Sequence, residues 1–227
     1  MFTLNPLSYL LPFLGSLVGM GIAYYVTPRT PERLKLILSF SGAFLLGIII
    51  LHLIPQVFSE TNSQAGLWII AGLILQILLE YLSQGTEHGH AHLKEDNKTP
   101  IILILSLCIH AFIEGLPLGQ EPKLIWGIFI HKIPIGMVLF FIVWGSKSNL
   151  LSRLLYLILF SLMSPLGSLT LSCFDTLTAW QLPITALVIG MLLHISTTIL
   201  FESNQGHSFN LRKLLIILAA FGFSYLI

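Results

Sequence analysis

The sequence predicts an all-α integral membrane protein built from eight transmembrane helices. Of its 227 residues, 55% are apolar and only 9% are charged. A soluble domain carries about 25% charged residues, so this chain has too few of them to cover the surface of a soluble globule. Polar breaks divide nearly all of the sequence into apolar stretches close to the roughly 20 residues that a spanning helix needs. We therefore predict a single polytopic membrane domain over 1–227.

Short polar loops separate the eight predicted spans. The spans are 7–26, 35–57, 65–83, 100–118, 122–145, 150–172, 182–201 and 210–227. The longest loop, 84–99, contains His88, His90 and His92, and we interpret it either as a metal-binding stretch or as a solvated polar loop. The net charge of +1 gives no bias towards nucleic acid, so the expected surroundings are the lipid bilayer alone.

The positions of lysine and arginine predict the orientation of these spans. Lys123 alone lies on the side of the even-numbered loops, and Lys132 lies within span five. The other basic residues lie in or beside the odd-numbered loops: Arg29, Arg33, Lys35, Lys94, Lys98, Lys147, Arg153, Arg212 and Lys213. Basic loops face the cytoplasm, so both termini are predicted to lie outside, in an inner or plasma membrane. Glu121, in a short outward loop, is interpreted as an ordinary loop residue.

Three ionisable residues in spans four and five form a candidate metal site. His110 and Glu114 lie four residues apart, on one face of span four. Span five returns antiparallel and places His131 at a similar depth. Ionisable groups inside a membrane are costly and usually line a pathway or a site. Two imidazoles and a carboxylate suit Zn²⁺ or a related divalent metal, here expected as a substrate and not as a prosthetic group.

Five further residues along the spans are candidates for the route of the ion. His52 lies near the outer end of span two, whereas Glu80, His194 and Glu202 lie in the cytoplasmic half of the membrane. This order predicts entry at His52 and release past the other three, with Lys132 beside the central site. A lone histidine in a membrane helix is equally often a hydrogen-bonded packing residue, which is the alternative for His52 and His194.

A short repeated motif predicts internal symmetry. Leu-Gly-Ser-Leu occurs at 14–17 in span one and again at 166–169 in span six, each time just after a proline. This repetition fits an inverted repeat of spans one to three against spans six to eight, which is a common plan among transporters.

The motifs of spans two, four and five resemble those of the ZIP (Zrt/Irt-like) family of divalent metal transporters. They are Ser-Gly-Ala-Phe-Leu at 41–45, His-Leu-Ile-Pro at 52–55, His-Ala-Phe-Ile-Glu-Gly at 110–115 and His-Lys-Ile-Pro-Ile-Gly at 131–136. The resemblance implies a 3+2+3 bundle, movement of a divalent metal, zinc above all, towards the cytoplasm, and a homodimer. It also implies that spans one, four, five and six move against the others.

Four positions depart from the family pattern. Gln56 follows the His-Leu-Ile-Pro motif of span two, where the family has glutamate. Lys132 stands where many members carry an acidic residue or asparagine, Ile135 stands where glutamate is usual, and Ala111 replaces a polar residue. The family's binuclear centre draws on these positions, so the resemblance leaves only the three central ligands named above. We interpret this as a site for one metal, with the Lys132 ammonium in place of a second cation.

Two other classes of protein fit parts of the pattern. Four intramembrane histidines are enough for bis-histidine haem ligation in a redox protein, but Glu114 beside His110 favours a harder cation. A metal-dependent membrane hydrolase is disfavoured because the chain has no His-Glu-x-x-His motif. The prediction is therefore a transporter and not an enzyme. The identity of the metal, and the choice between channel and coupled carrier, stay open.

Overall fold

The computed structural model describes residues 5–25, 31–60, 64–83, 85, 101–202 and 211–227, which form a bundle of α-helices. In chain order the helices are α1 (Leu7–Tyr25), α2 (Pro31–Ile48), α3 (Ile54–Glu60), α4 (Ala65–Ser83), α5 (Ile101–Gly115), α6 (Pro122–Gly145), α7 (Leu150–Cys173), α8 (Gln181–Glu202) and α9 (Leu211–Leu226). Short 3₁₀ segments follow α5 at Leu116–Gly119 and α7 at Asp175–Trp180. The predicted histidine loop at 84–99, apart from Gly85, lies outside the described residues.

The predicted membrane class is confirmed by the length and composition of these helices. Among the described residues, seven helical stretches are long and apolar enough to cross a membrane. The helix α9 occupies the place of the eighth predicted span, with 16 residues. Large apolar side chains are exposed along the outer face of α4, at Leu67, Ile70, Ile74 and Leu78. This outward apolar stripe is what a lipid-facing helix presents.

Span two differs from a plain helix in one respect. The helix runs from Pro31 to Glu60, but a π-helical turn at Ile49–Leu53 separates α2 from α3. A π turn inserts an extra residue into the helix, and such turns are frequent at functional sites. This turn contains His52, one of the residues predicted to line the route.

The repeated Leu-Gly-Ser-Leu motif makes equivalent contacts in the two halves of the chain. A Cβ on Gly15 of α1 would lie 2.6 Å from the carbonyl oxygen of Phe129 in α6. A Cβ on Gly167 of α7 would lie 2.1 Å from the carbonyl oxygen of Phe112 in α5. Since only glycine permits such close approach, the first helix of each repeat is pressed against one of the two helices that carry the candidate site.

The closest contacts between helices divide the bundle into two groups. In the first group, α1 packs on α6 and α5 packs on α7. In the second, α2 packs on α9 and α4 packs on α8, where Gly72 and Gly190 would each bring a Cβ within 2 Å of a carbonyl oxygen of the other helix. Between the groups, Gly127 of α6 approaches only the side chains of Leu45 and Ile48 in α2. Flexible side chains thus line this α2–α6 boundary, whereas backbone contacts join α1 to α6, α5 to α7 and α4 to α8. The helix α2 instead meets α9 through the Ser224 side chain, which lies beside Gly47.

Replacing Gly72 by alanine is expected to destabilise the protein. The new Cβ would lie 1.8 Å from the carbonyl oxygen of Leu187, so α4 and α8 must separate, at a cost of about 1–3 kcal/mol. Gly66→Ala on the same helix is the matched control, because nothing lies within 4 Å of its added Cβ. Thermal unfolding in detergent should give a lower Tm for Gly72→Ala and an equal or higher Tm for Gly66→Ala. Equal Tm values for the two variants would contradict the close α4–α8 contact.

Candidate metal centre

The two helices α5 and α6 bring the three predicted ligands together. His110 and Glu114 lie one turn apart on α5, and His131 lies on the next helix of the chain, α6. One ligand atom from each side chain lies within 4.8 Å of the other two. None of the three residues is more than 3% exposed. The sequence spacing therefore corresponds to a compact, buried group of two imidazoles and one carboxylate, and its binding of a metal stays a prediction.

The two oxygens of Glu114 have different surroundings. Oε1 lies 2.5 Å from the Lys132 ammonium and accepts a hydrogen bond of 3.0 Å from the Ser164 hydroxyl of α7. Oε2 faces His110 Nε2 at 3.2 Å. One oxygen is thus occupied by protein donors, and the other is directed towards the imidazole. A metal ligand of this kind is oriented by its own hydrogen-bond partners.

Lys132 is fully enclosed in this centre. It is 2% exposed, and its ammonium lies over the ring of Phe160 in α7, 4.3 Å from the ring centroid. The ring face carries negative charge density and so favours a cation above it. Together with Glu114, Phe160 gives the ammonium two favourable contacts inside the bundle. Lys132, which the sequence predicted to lie beside the central site, forms an ion pair with Glu114 in the structure.

Two of the predicted route residues contact each other. The Nε2 atom of His194 in α8 forms a hydrogen bond with a carboxylate oxygen of Glu80 in α4. Both side chains are about one-fifth exposed. The residue Glu202 ends α8, and its side chain is not among those that the structure describes. The predicted loop ligands His88, His90 and His92 lie outside the described residues.

The structure places His52 away from the three central ligands. Its Nε2 lies 3.0 Å from the carbonyl oxygen of Ser224 in α9, and its Nδ1 lies 3.1 Å from the Lys123 ammonium. A carbonyl only accepts and an ammonium only donates, so Nε2 carries the proton and Nδ1 accepts. The ring thus makes two hydrogen bonds at the end of the bundle where α6 begins, as the packing alternative expects. Its part in a transport route is untested.

The interpretation of Glu121 as an ordinary loop residue is wrong. Glu121 is only 4% exposed, and its Oε1 accepts a hydrogen bond of 3.2 Å from the Gln56 amide of α3. The loop between α5 and α6 is so short that its last residue is drawn into the bundle. Glu121 thereby joins the start of α6 to the end of span two.

Sequence reasoning did not find three residues that contact the centre. Ser164 and Phe160 of α7 contact Glu114 and Lys132, as described above. The amide oxygen of Gln76 in α4 lies 2.8 Å from Nδ1 of His110, and Gln76 is completely buried. A glutamine in the middle of an apolar span, four residues before Glu80, was a signal that the sequence offered.

Comparison with known proteins shows which family this sequence resembles. A sequence model described as "ZIP Zinc transporter" matches residues 81–227, which include all three predicted ligands. The chain is 27% identical over 93 residues to "Zinc transporter ZIP13 homolog" of Drosophila melanogaster, covering 37% of this chain and 25% of that protein. It is 40% identical over 73 residues to "Zinc transporter ZIP13" of Bos taurus, covering 25% of this chain and 17% of that protein. It is 33% identical over 93 residues to "Zinc transporter ZIP2" of Homo sapiens, covering 35% of this chain and 29% of that protein. The aligned segments thus span less than a third of these relatives.

Proposed function

Since the chain belongs to the ZIP zinc transporter family, we propose that it moves Zn²⁺ or a related divalent metal across the membrane towards the cytoplasm. The observation that carries the proposal is the buried convergence of His110, Glu114 and His131, whose ligand atoms lie within 4.8 Å of one another. Imidazole nitrogen and carboxylate oxygen are ligands that divalent zinc accepts, and three protein ligands leave a position open for exchange. The ion is the substrate of the site and is not retained as a cofactor.

The distribution of charge favours one metal at the centre. Glu114 Oε1 is already paired with Lys132, so only Oε2 and the two imidazoles are directed towards an ion. A second metal beside Lys132 would meet its ammonium at close range. Ile135 and Ala111 are buried and apolar, and neither offers a ligand atom there. In this proposal the ammonium takes the place of a second cation.

The two helix groups provide a plan for movement of the ion. His110, Glu114 and His131 belong to the group of α1, α5, α6 and α7, whereas the Glu80–His194 pair belongs to the group of α4 and α8. A shift of the first group along the second would carry the ion between the two faces of the membrane. Glu80 and His194, in the predicted cytoplasmic half, then stand on the release side.

Transport by reconstituted protein tests this function, and His131→Ala is the informative variant. Vesicles that contain the wild-type protein and a zinc-sensitive dye should take up Zn²⁺ faster than protein-free vesicles. Loss of one of three ligands should weaken zinc binding by more than about 10-fold and slow uptake at low zinc accordingly.

The control for this variant is Cys108→Ala, which changes a buried residue of α5 that lies outside the ligand group. It should keep the wild-type rate. Repeating the assay with other divalent metals, and with and without a proton gradient, identifies the substrate and any coupling. Equal rates for wild-type and His131→Ala protein at low zinc would contradict the proposed site.

A further inference from the structure

Gln76 is a buried polar residue that contacts the centre from the opposite helix group. We propose that Gln76 is a positioning residue, which holds the His110 ring in the tautomer whose Nε2 binds the metal, and does so only while α4 and α5 keep their present register. The proposal rests on the proposed function and extends it to a residue that does not touch the ion. It is carried by the 2.8 Å contact between Gln76 Oε1 and His110 Nδ1.

The chemistry of the amide oxygen fixes the position of the imidazole proton. An amide oxygen only accepts hydrogen bonds, so His110 Nδ1 must be the donor, and the neutral ring then has its lone pair on Nε2. Histidine ligands of metals are commonly oriented in this way by a partner at the other ring nitrogen.

The lone pair that results is directed at another acceptor. Nε2 of His110 lies 3.2 Å from Oε2 of Glu114, and an ionised carboxylate oxygen has no proton to offer. Two facing acceptors repel each other unless a proton or a metal ion lies between them. Because Gln76 holds the proton of Nδ1, a metal ion can take the place between Nε2 and Glu114 without any rotation or tautomer change of the ring.

The position of Gln76 links this tautomer to the arrangement of the helices. Gln76 lies on α4, one turn beyond the close contact of Gly72 with Leu187 of α8. His110 lies on α5, which is held to α7 by the contact between Gly115 and the Ser164 backbone. The Gln76–His110 hydrogen bond therefore joins the two helix groups. A shift of α5 along α4 would break it and weaken ligation, which favours release of the ion, since a transported ion must be able to leave.

The tautomer is measured directly on the metal-free protein. In protein with ¹⁵N-labelled histidine, at a pH at which the ring is neutral, the nitrogen shifts of His110, assigned by their loss in His110→Asn, should report a protonated Nδ1 and an unprotonated Nε2. In Gln76→Leu the two nitrogens should move towards the averaged shifts of mixed tautomers. Calorimetric titration should show that this variant binds Zn²⁺ about 10–100-fold more weakly than the wild type.

Two controls separate positioning from general loosening of the helix interface. Ser106→Ala removes another buried α4–α5 hydrogen bond, from the Ser106 hydroxyl to the Leu79 carbonyl, without touching His110. It should leave the nitrogen shifts and the zinc affinity within about 2-fold of the wild type, below the effect of losing a ligand's partner. Gln76→Glu retains an acceptor oxygen and should keep the proton on Nδ1.

Unchanged nitrogen shifts in Gln76→Leu, or equal losses of zinc affinity in Gln76→Leu and Ser106→Ala, would overturn the proposal. A wild-type protein that bound no zinc would instead contradict the proposed function. The nitrogen shifts of the metal-free protein would still decide whether Gln76 sets the tautomer of His110.

Discussion

Replacing Glu114 by alanine is expected to reduce zinc uptake to the rate of protein-free vesicles. Glu114 supplies the only carboxylate of the described ligand group, and its Oε2 is the oxygen directed towards the ion. Its removal also leaves the Lys132 ammonium buried without its counter-ion, so that a positive charge remains where a divalent cation must bind. Loss of a ligand and gain of electrostatic repulsion act together, since charges interact strongly inside a low-dielectric bundle.

The measurement is zinc-dependent dye fluorescence in reconstituted vesicles, with equal amounts of folded protein confirmed by size-exclusion chromatography. Glu114→Gln keeps the shape of the side chain and an acceptor for the Ser164 hydroxyl. It should be inactive because the amide lacks the negative charge that attracts the metal ion.

Glu121→Gln is the matched control, because it changes a second buried carboxylate that lies outside the ligand group. It should retain transport, since an amide oxygen can still accept from Gln56. Wild-type uptake by Glu114→Ala would refute the central site.

The parts of the fold that the sequence predicts well are those that local patterns determine. Spans are set by runs of apolar residues, and the observed helices begin and end within a few residues of the predicted stretches. The placement of His110 and Glu114 on one face follows from a spacing of four residues in a helix. A short connection then returns the chain as α6, and the side chain of His131 reaches the group formed by His110 and Glu114. These inferences need no knowledge of how distant helices pack.

The contacts that the sequence did not reveal depend on helices far apart in the chain. Gln76 meets His110 across 34 positions, and Ser164 meets Glu114 across 50. Whether such residues touch depends on how closely and at which register the helices pack, and here glycine–carbonyl contacts decide that register. A serine in an apolar span has no periodicity that marks it as a partner. The inward position of Glu121 was missed because its polar character alone suggested a solvated loop.

Replacing Lys132 is expected to have the second large effect, a loss of stability, because helix packing buries its ammonium beside Glu114. Replacing it by methionine keeps much of the side-chain volume but leaves the Glu114 carboxylate buried and without its cation. Removing one partner of a buried ion pair costs about 3–5 kcal/mol, so the metal-free variant should unfold at a much lower temperature than the wild type. The loss of the ammonium over the Phe160 ring adds to this effect.

Metal should reverse much of that loss, because a divalent cation can supply the charge that the ammonium supplied. We expect zinc or cadmium to raise the Tm of Lys132→Met more than that of the wild type, and titration to detect an additional metal ion bound through the freed Oε1 of Glu114. Lys123→Met is the matched control on the same helix, because Lys123 is exposed and contacts His52 near the start of α6. Its effect should stay within about 0.5 kcal/mol, as for most surface substitutions. An unchanged metal stoichiometry in Lys132→Met would mean that the ammonium does not stand in for a second cation, and the single-metal interpretation would then depend on the apolar residues Ala111 and Ile135 alone.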